Sequence, residues 1–168
     1  MGLFRRSALP FEPKELLLSG ERVLAWGLLS EETDGSTPVA VASDVALYIP
    51  SAQLRMPYEL ILKGQWDDPV LEITATPRGK EVPRRVTLTF SQPGLIPDVV
   101  YERVNATIVL QTHEDLVGDK GATFVARRTD GDVITWNVIF DAELDPRDER
   151  LRELADARLV SLRESAGI

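Results

Sequence analysis

The sequence predicts a mainly β protein of the α+β class: an antiparallel sandwich or partial barrel of about seven to nine short strands, capped by a C-terminal helix. Three observations lead there. Most of the chain between residues 22 and 140 reads as short apolar runs, many alternating with polar residues and separated by Pro, Gly and Asp. That is the signature of half-buried strands joined by turns. Strands do not alternate with helices, which argues against a parallel sheet. The last stretch changes period, with Leu151, Leu154, Ala155, Leu159 and Leu162 forming one stripe at helical spacing.

In chain order, residues 1–20 read as a flexible segment with a helical turn or two over Lys14–Ser19, stopped by Gly20. The remainder, 21–168, reads as one domain. Arg22 to Ser30 is a first strand, apolar on both faces. A polar loop, 31–38, follows. Val39 to Ile49 is either one long strand or a hairpin pinched at Ser43-Asp44, because that pair lacks the Gly a tight turn prefers. Pro57 to Trp66 reads as one strand, with Tyr58, Leu60, Leu62 and Trp66 on one face. Asp67-Asp68-Pro69 turns the chain into Val70–Thr76, whose Leu71, Ile73 and Ala75 point inward.

Beyond the loop 77–83, Val86, Leu88 and Phe90 form the inward set of the next strand. The spacing of Val100, Val104 and Ile108 permits one helix over 98–112. The β-branched run Thr107-Ile108-Val109 favours a short helix over 98–104 and then a strand over 106–113. Gly121 to Asp141 is a hairpin turning at Asp130-Gly131. A two-residue loop would place Val125 on the face of Trp136, and a three-residue loop would place Phe124 and Ala126 there. The closing helix is expected over 146–164, with Asp145 as its cap and Pro146 at its first position.

Composition narrows the chemistry. There is no cysteine among 168 residues, which removes thiolate catalysis, thiolate metal sites and disulfides together. It fits a reducing cytoplasm. Nineteen Lys and Arg against 27 Asp and Glu leave a net charge of −8. The excess sits late: 10 basic against 12 acidic residues in 1–90, and 9 against 15 in 91–168. An acidic second half argues against nucleic acid as a partner. No run is long and apolar enough for an integral membrane segment, and the first residues lack the apolar core of a signal peptide. Leu3-Phe4 beside Arg5-Arg6 allows a peripheral membrane touch, though a frayed terminus is the plainer reading.

No catalytic set stands out. His113 is the single histidine, so one chain cannot build a multi-histidine metal site. With Glu114 and Asp115 it could serve as an acid/base group, but an exposed strand-end residue is preferred. Asp130-Gly131-Asp132 lacks the further ligands of a calcium loop. Asp141, Asp145 and Asp148 are better explained by helix capping than by a cation. Trp26, Trp66 and Trp136 are expected in the core rather than in a pocket. Arg78, Lys80, Arg84 and Arg85 make a small cationic stretch in an acidic chain. They are the candidate contact for an anion such as a phosphate, a lipid headgroup or an acidic peptide. The alternative is protection of a sheet edge by positive charge.

Three stretches also carry a resemblance: Gly20-Glu21-Arg-Val-Leu-Ala-Trp26, Val39 through Ser43-Asp44 to Tyr48-Ile49, and Arg55-Met-Pro-Tyr-Glu-Leu-Ile-Leu62, followed by Trp66 and Leu71-Glu-Ile73. Together they resemble the bacterial pleckstrin-homology-like pattern, and the whole chain is similar to actinobacterial proteins of this size. The resemblance covers the first half best; residues 91–118 depart from it. It implies a pleckstrin-homology-like barrel ending in a helix, a turn at Ser43-Asp44, and no catalytic residues; no cofactor is expected. The expected function is therefore a non-enzymatic binding or scaffolding module, with a protein partner or a second copy of itself met through a sheet edge. A binder of small anions or lipid headgroups through 77–85 is the alternative, and an enzyme ranks last.

Overall fold

The structure, a computed structural model, describes residues 20–30, 38–76, 83–129 and 132–168. The expected turns at 14–19, 31–37 and Asp130-Gly131 lie outside them. The protein is mainly β: the described residues form ten strands in two antiparallel sheets and two α-helices, the second of them C-terminal. The chain groups into two compact units, residues 1–105 and 106–168.

The first unit is a seven-stranded sheet in the order β4-β3-β2-β1-β7-β6-β5. Its strands are β1 (Val23–Leu29), β2 (Val39–Ser43), β3 (Ala46–Ile49), β4 (Leu54–Pro57), β5 (Ile61–Asp67), β6 (Val70–Ala75) and β7 (Arg84–Gln92). One face carries the main core, including Leu47, Ile49, Met56, Tyr58, Ile61, Leu71, Ile73 and Phe90. Helix α1 (Ile96–Ala106) lays Ile96, Val100 and Val104 into this core, one residue per turn on a single stripe. Val39, Val41, Ala46 and Tyr48 form a second cluster on the other face of β2 and β3, beside Val23, Trp26 and Leu28. The apolar character of β1 on both sides follows from this double burial.

The chain does turn between β2 and β3, which pair antiparallel. Ser43 supplies what a glycine would have: its Oγ accepts from the amides of Val45 and Ala46 at 3.2 and 3.0 Å, and donates to the Ala46 carbonyl at 3.2 Å. Side-chain oxygens of this kind can stand in for backbone partners in a turn.

Two strand readings need correction. The run 57–66 is not one strand. Pro57 ends β4, Tyr58–Leu60 make a 3-10 turn, and β5 starts at Ile61. A bulge between Ile61 and Lys63 then shifts the alternation. As a result Ile61, expected outward, is fully buried, while Trp66 pairs with Leu71 and meets Phe90 edge-on at 6.0 Å. One extra residue in a strand reverses the side on which every later side chain falls. The strand count also rises above the expected seven to nine, because Leu54–Pro57 pairs with β3 in its own right.

The second unit is a three-stranded sheet, β10-β9-β8, built from β8 (Ile108–Val117), β9 (Lys120–Thr129) and β10 (Val133–Phe140). Trp136 stands opposite Ala126 and Val138 opposite Phe124, the register of the three-residue loop. Helix α2 (Glu149–Ala166) covers that face. Leu151 and Ala155 are buried, and Leu159 and Leu162 pack around Phe124, Trp136, Val138 and Phe140. Leu154, expected in the stripe, is 39% exposed. The helix also starts later than the sequence suggests. Asp148 is the cap, its Oδ1 accepting from Arg150 and Leu151 amides at 2.9 and 3.3 Å. Asp145 instead holds the Arg147 amide at 2.9 Å in the preceding turn.

A candidate interface at an open sheet edge

An outer strand presents backbone N–H and C=O groups with no partner in its own sheet, and folded proteins blunt such edges with charge, proline, bulges or shortness. The two sheets have four outer strands. Three are blunted. β4 has four residues, carries Arg55 and ends at Pro57. β5 contains Lys63, Gly64 and Asp67 and a bulge. β8 bears His113, Glu114 and Asp115 and two register shifts.

β10 has none of these devices. Its eight residues, Val-Ile-Thr-Trp-Asn-Val-Ile-Phe, include no charge, no proline and no glycine. Every one of them pairs with β9 in unbroken register. Among the described residues no strand lies on its other side. The direction of its backbone groups follows from two bonds. The Asp141 amide donates to the Gly121 carbonyl at 3.0 Å, and the Val133 carbonyl accepts from Thr129 Oγ1 at 3.2 Å. Both odd-numbered positions turn toward β9. Alternation along the strand then aims the N–H and C=O groups of Ile134, Trp136, Val138 and Phe140 outward.

The end of this strand is pinned. Asp141 accepts from the Gly121 amide at 2.7 Å and lies 3.1 and 3.2 Å from His113 Nε2. The Gly121 N–H, and then His113, hold the Asp141 carboxyl below the usual carboxylate range. Gly121 has to be glycine here: a Cβ on it would sit 1.8 Å from the Glu114 carbonyl oxygen. His113 was expected beside Glu114 and Asp115. Consecutive strand residues face opposite ways, and Glu114 instead bonds Arg158 of α2 at 2.5 Å. Asp115 stands 3.8 Å from His113 Nδ1, but the close carboxylate, Asp141, is 28 residues away in sequence. No residue spacing could have signalled that pair.

The expected anion contact is only partly visible. Arg78 and Lys80 lie outside the described residues. Arg84 and Arg85 open β7, both exposed, opposite Ala75 and Thr74. Arg84 shares the parity of Val86, Leu88 and Phe90, and Arg85 that of Thr87 and Thr89. The two guanidinium groups therefore leave from opposite faces of the sheet.

The remaining polar groups are built into the structure. Glu21 accepts from the Tyr48 hydroxyl and from Arg55 at 2.7 Å, while Arg55 Nε donates to the Tyr48 oxygen at 2.8 Å. Burial and the Glu21 bond both push the Tyr48 hydroxyl pKa up. Tyr58 donates to the Ser43 carbonyl at 2.9 Å, and burial raises its pKa strongly. Arg127 is 2% exposed and donates to Thr107 Oγ1 at 2.7 Å; burial lowers its pKa. Trp26 and Trp136 pack at the margins of two separate clusters, whereas Trp66, expected in the core, is 36% exposed on a strand at the sheet's edge. Trp26 borders an open cleft of about 360 Å³, with Leu24, Ala25, Gln92, Gly94 and Leu95. Among the described residues no three His, Asp or Glu stand together as a metal set, and no helix is long and apolar enough to cross a membrane. No family model, no curated protein and no solved structure matches the chain.

Proposed function

We propose that the chain is a non-enzymatic binding or scaffolding module that takes a polypeptide strand along the outer edge of β10. The observation that carries this reading is the contrast among the four outer strands: three are blunted and β10 is not. An added strand would satisfy its outward backbone groups, the usual source of affinity in strand addition. The family reading supports a binder as well. The resemblance implies a barrel ending in a helix, expected at the C-terminal helix; the seven-stranded sheet is open, with β4 and β5 as its outer strands, and α2 is the C-terminal helix. The cysteine-free composition supports a cytoplasmic setting. The anion-binding alternative gains nothing from Arg84 and Arg85, which diverge.

A photo-cross-linking residue in place of Thr135, exposed on β10, tests the proposal in native extract. Covalent adducts to a polypeptide are expected, and adducts should be absent when the same residue replaces Thr87 on β7. Equal yields at the two positions, or no polypeptide adduct at all, would contradict it.

A further inference from the structure

We infer that the strand received by β10 is β10 of a second copy, paired antiparallel across a two-fold axis perpendicular to the small sheet. This rests on the strand-binding reading above and names its partner. A closed two-fold contact uses the same patch on both copies, so the patch must complement itself in charge, in backbone geometry and in side-chain face.

Charge is the first condition. The chain carries −8, so two copies repel overall and the shared surface must add no close like-charge pair to that repulsion. β10 contributes no charge of its own. The acids that flank it are Asp132 and Asp141. Parallel pairing would set each against its own copy. Antiparallel pairing sets neither against its own copy; in the register that follows, Asp141 and Asp132 of the copy stand one residue apart and on opposite faces.

Backbone geometry then selects the register. The outward groups belong to Ile134, Trp136, Val138 and Phe140. All four find partners only when Ile134 pairs with Phe140 of the copy and Trp136 with Val138 of the copy. The two-fold then passes beside Asn137, which faces itself. Asp141 falls opposite Val133 of the copy, and Asp132 opposite Ala142. Asn137 occupies a non-hydrogen-bonded site, where opposed Cα atoms approach to about 4.5 Å.

Side-chain face is the third condition. The four even-numbered residues lie on the α2 side, where Trp136, Val138 and Phe140 are only partly buried. Pairing sets Trp136 against Val138 of the copy and joins the two apolar clusters into one. Both α2 helices then lie on one face of a six-stranded sheet.

The absence of cysteine permits a test with single thiols. Asn137→Cys meets itself at a separation that a disulfide can bridge. Thr135→Cys is displaced from its own copy by four residues along the strand, about 13 Å, and faces Ile139 of the copy instead. Under mild oxidation of the purified protein, Asn137→Cys is expected to convert to a covalent dimer. Thr135→Cys and Ile139→Cys should each stay unlinked alone, and should link when mixed. Circular dichroism on each variant confirms that it folds. Linkage of Thr135→Cys alone as fast as Asn137→Cys would overturn the register. No linkage in any folded variant would overturn the second copy as partner; adducts at Thr135 in extract would then still uphold a different strand. If Asn137→Cys fails to fold, the Thr135 and Ile139 mixture decides the matter alone.

Discussion

β8 and β10 flank the same central strand, yet they are opposite kinds of edge. β8 alternates exposed with half-buried residues, carries two acids and a histidine, and breaks register twice. β10 is uncharged and continuous over its whole length. The difference shows that edge protection is a property of each strand and not of the sheet. Bulges and charges protect β8, and β10 keeps the regular, uncharged backbone that the proposed strand addition requires. The pinned end of β10, with Asp141 held by Gly121 and His113, fixes its backbone groups in place before any partner arrives.

The small sheet is most severely disrupted from its centre. Phe124 of β9 is fully buried against α2, and Phe124→Ala should cost about 3–5 kcal/mol. Both edges would lose their support together. A melting curve that shows no loss for residues 106–168 would contradict the packing described for this sheet.

A gentler change acts at one end of β10. Because the folded state lowers the Asp141 pKa, its ionised form contributes stability at pH above the unfolded carboxylate value. That contribution fades as pH falls through the folded value. Unfolding measured from pH 6 downward should therefore ease on acidification, and Asp141→Asn should flatten part of that slope. The same slope in the wild type and the variant would remove Asp141 from the account.

A good part of this was legible in the sequence, and the failures have physical causes. The leucine stripe of α2 could be read because helical periodicity is local. Its start was displaced from Asp145 to Asp148 because both aspartates can cap a helix, and only tertiary packing chooses between them. The inward set of β6 and β7 was readable from alternation. That of β5 was not, since the bulge between Ile61 and Lys63 leaves no mark in composition. The lack of charge in 133–140 was also in plain view. Its meaning was not, because whether a strand is central or outermost depends on pairings with distant residues. His113 and Asp141 show the same thing: each was noticed, and only the register of β8, β9 and β10 brings them together.

In the proposed dimer the outward backbone groups of β10 bind a strand of a second copy. Residue-resolved amide hydrogen exchange, measured over a range of protein concentrations, tests it most directly. The account predicts that the amides of Ile134, Trp136, Val138 and Phe140 become protected as concentration rises, while those of Thr135, Asn137 and Ile139 are protected throughout by β9. Fast exchange of the four even-numbered amides at every concentration would contradict it.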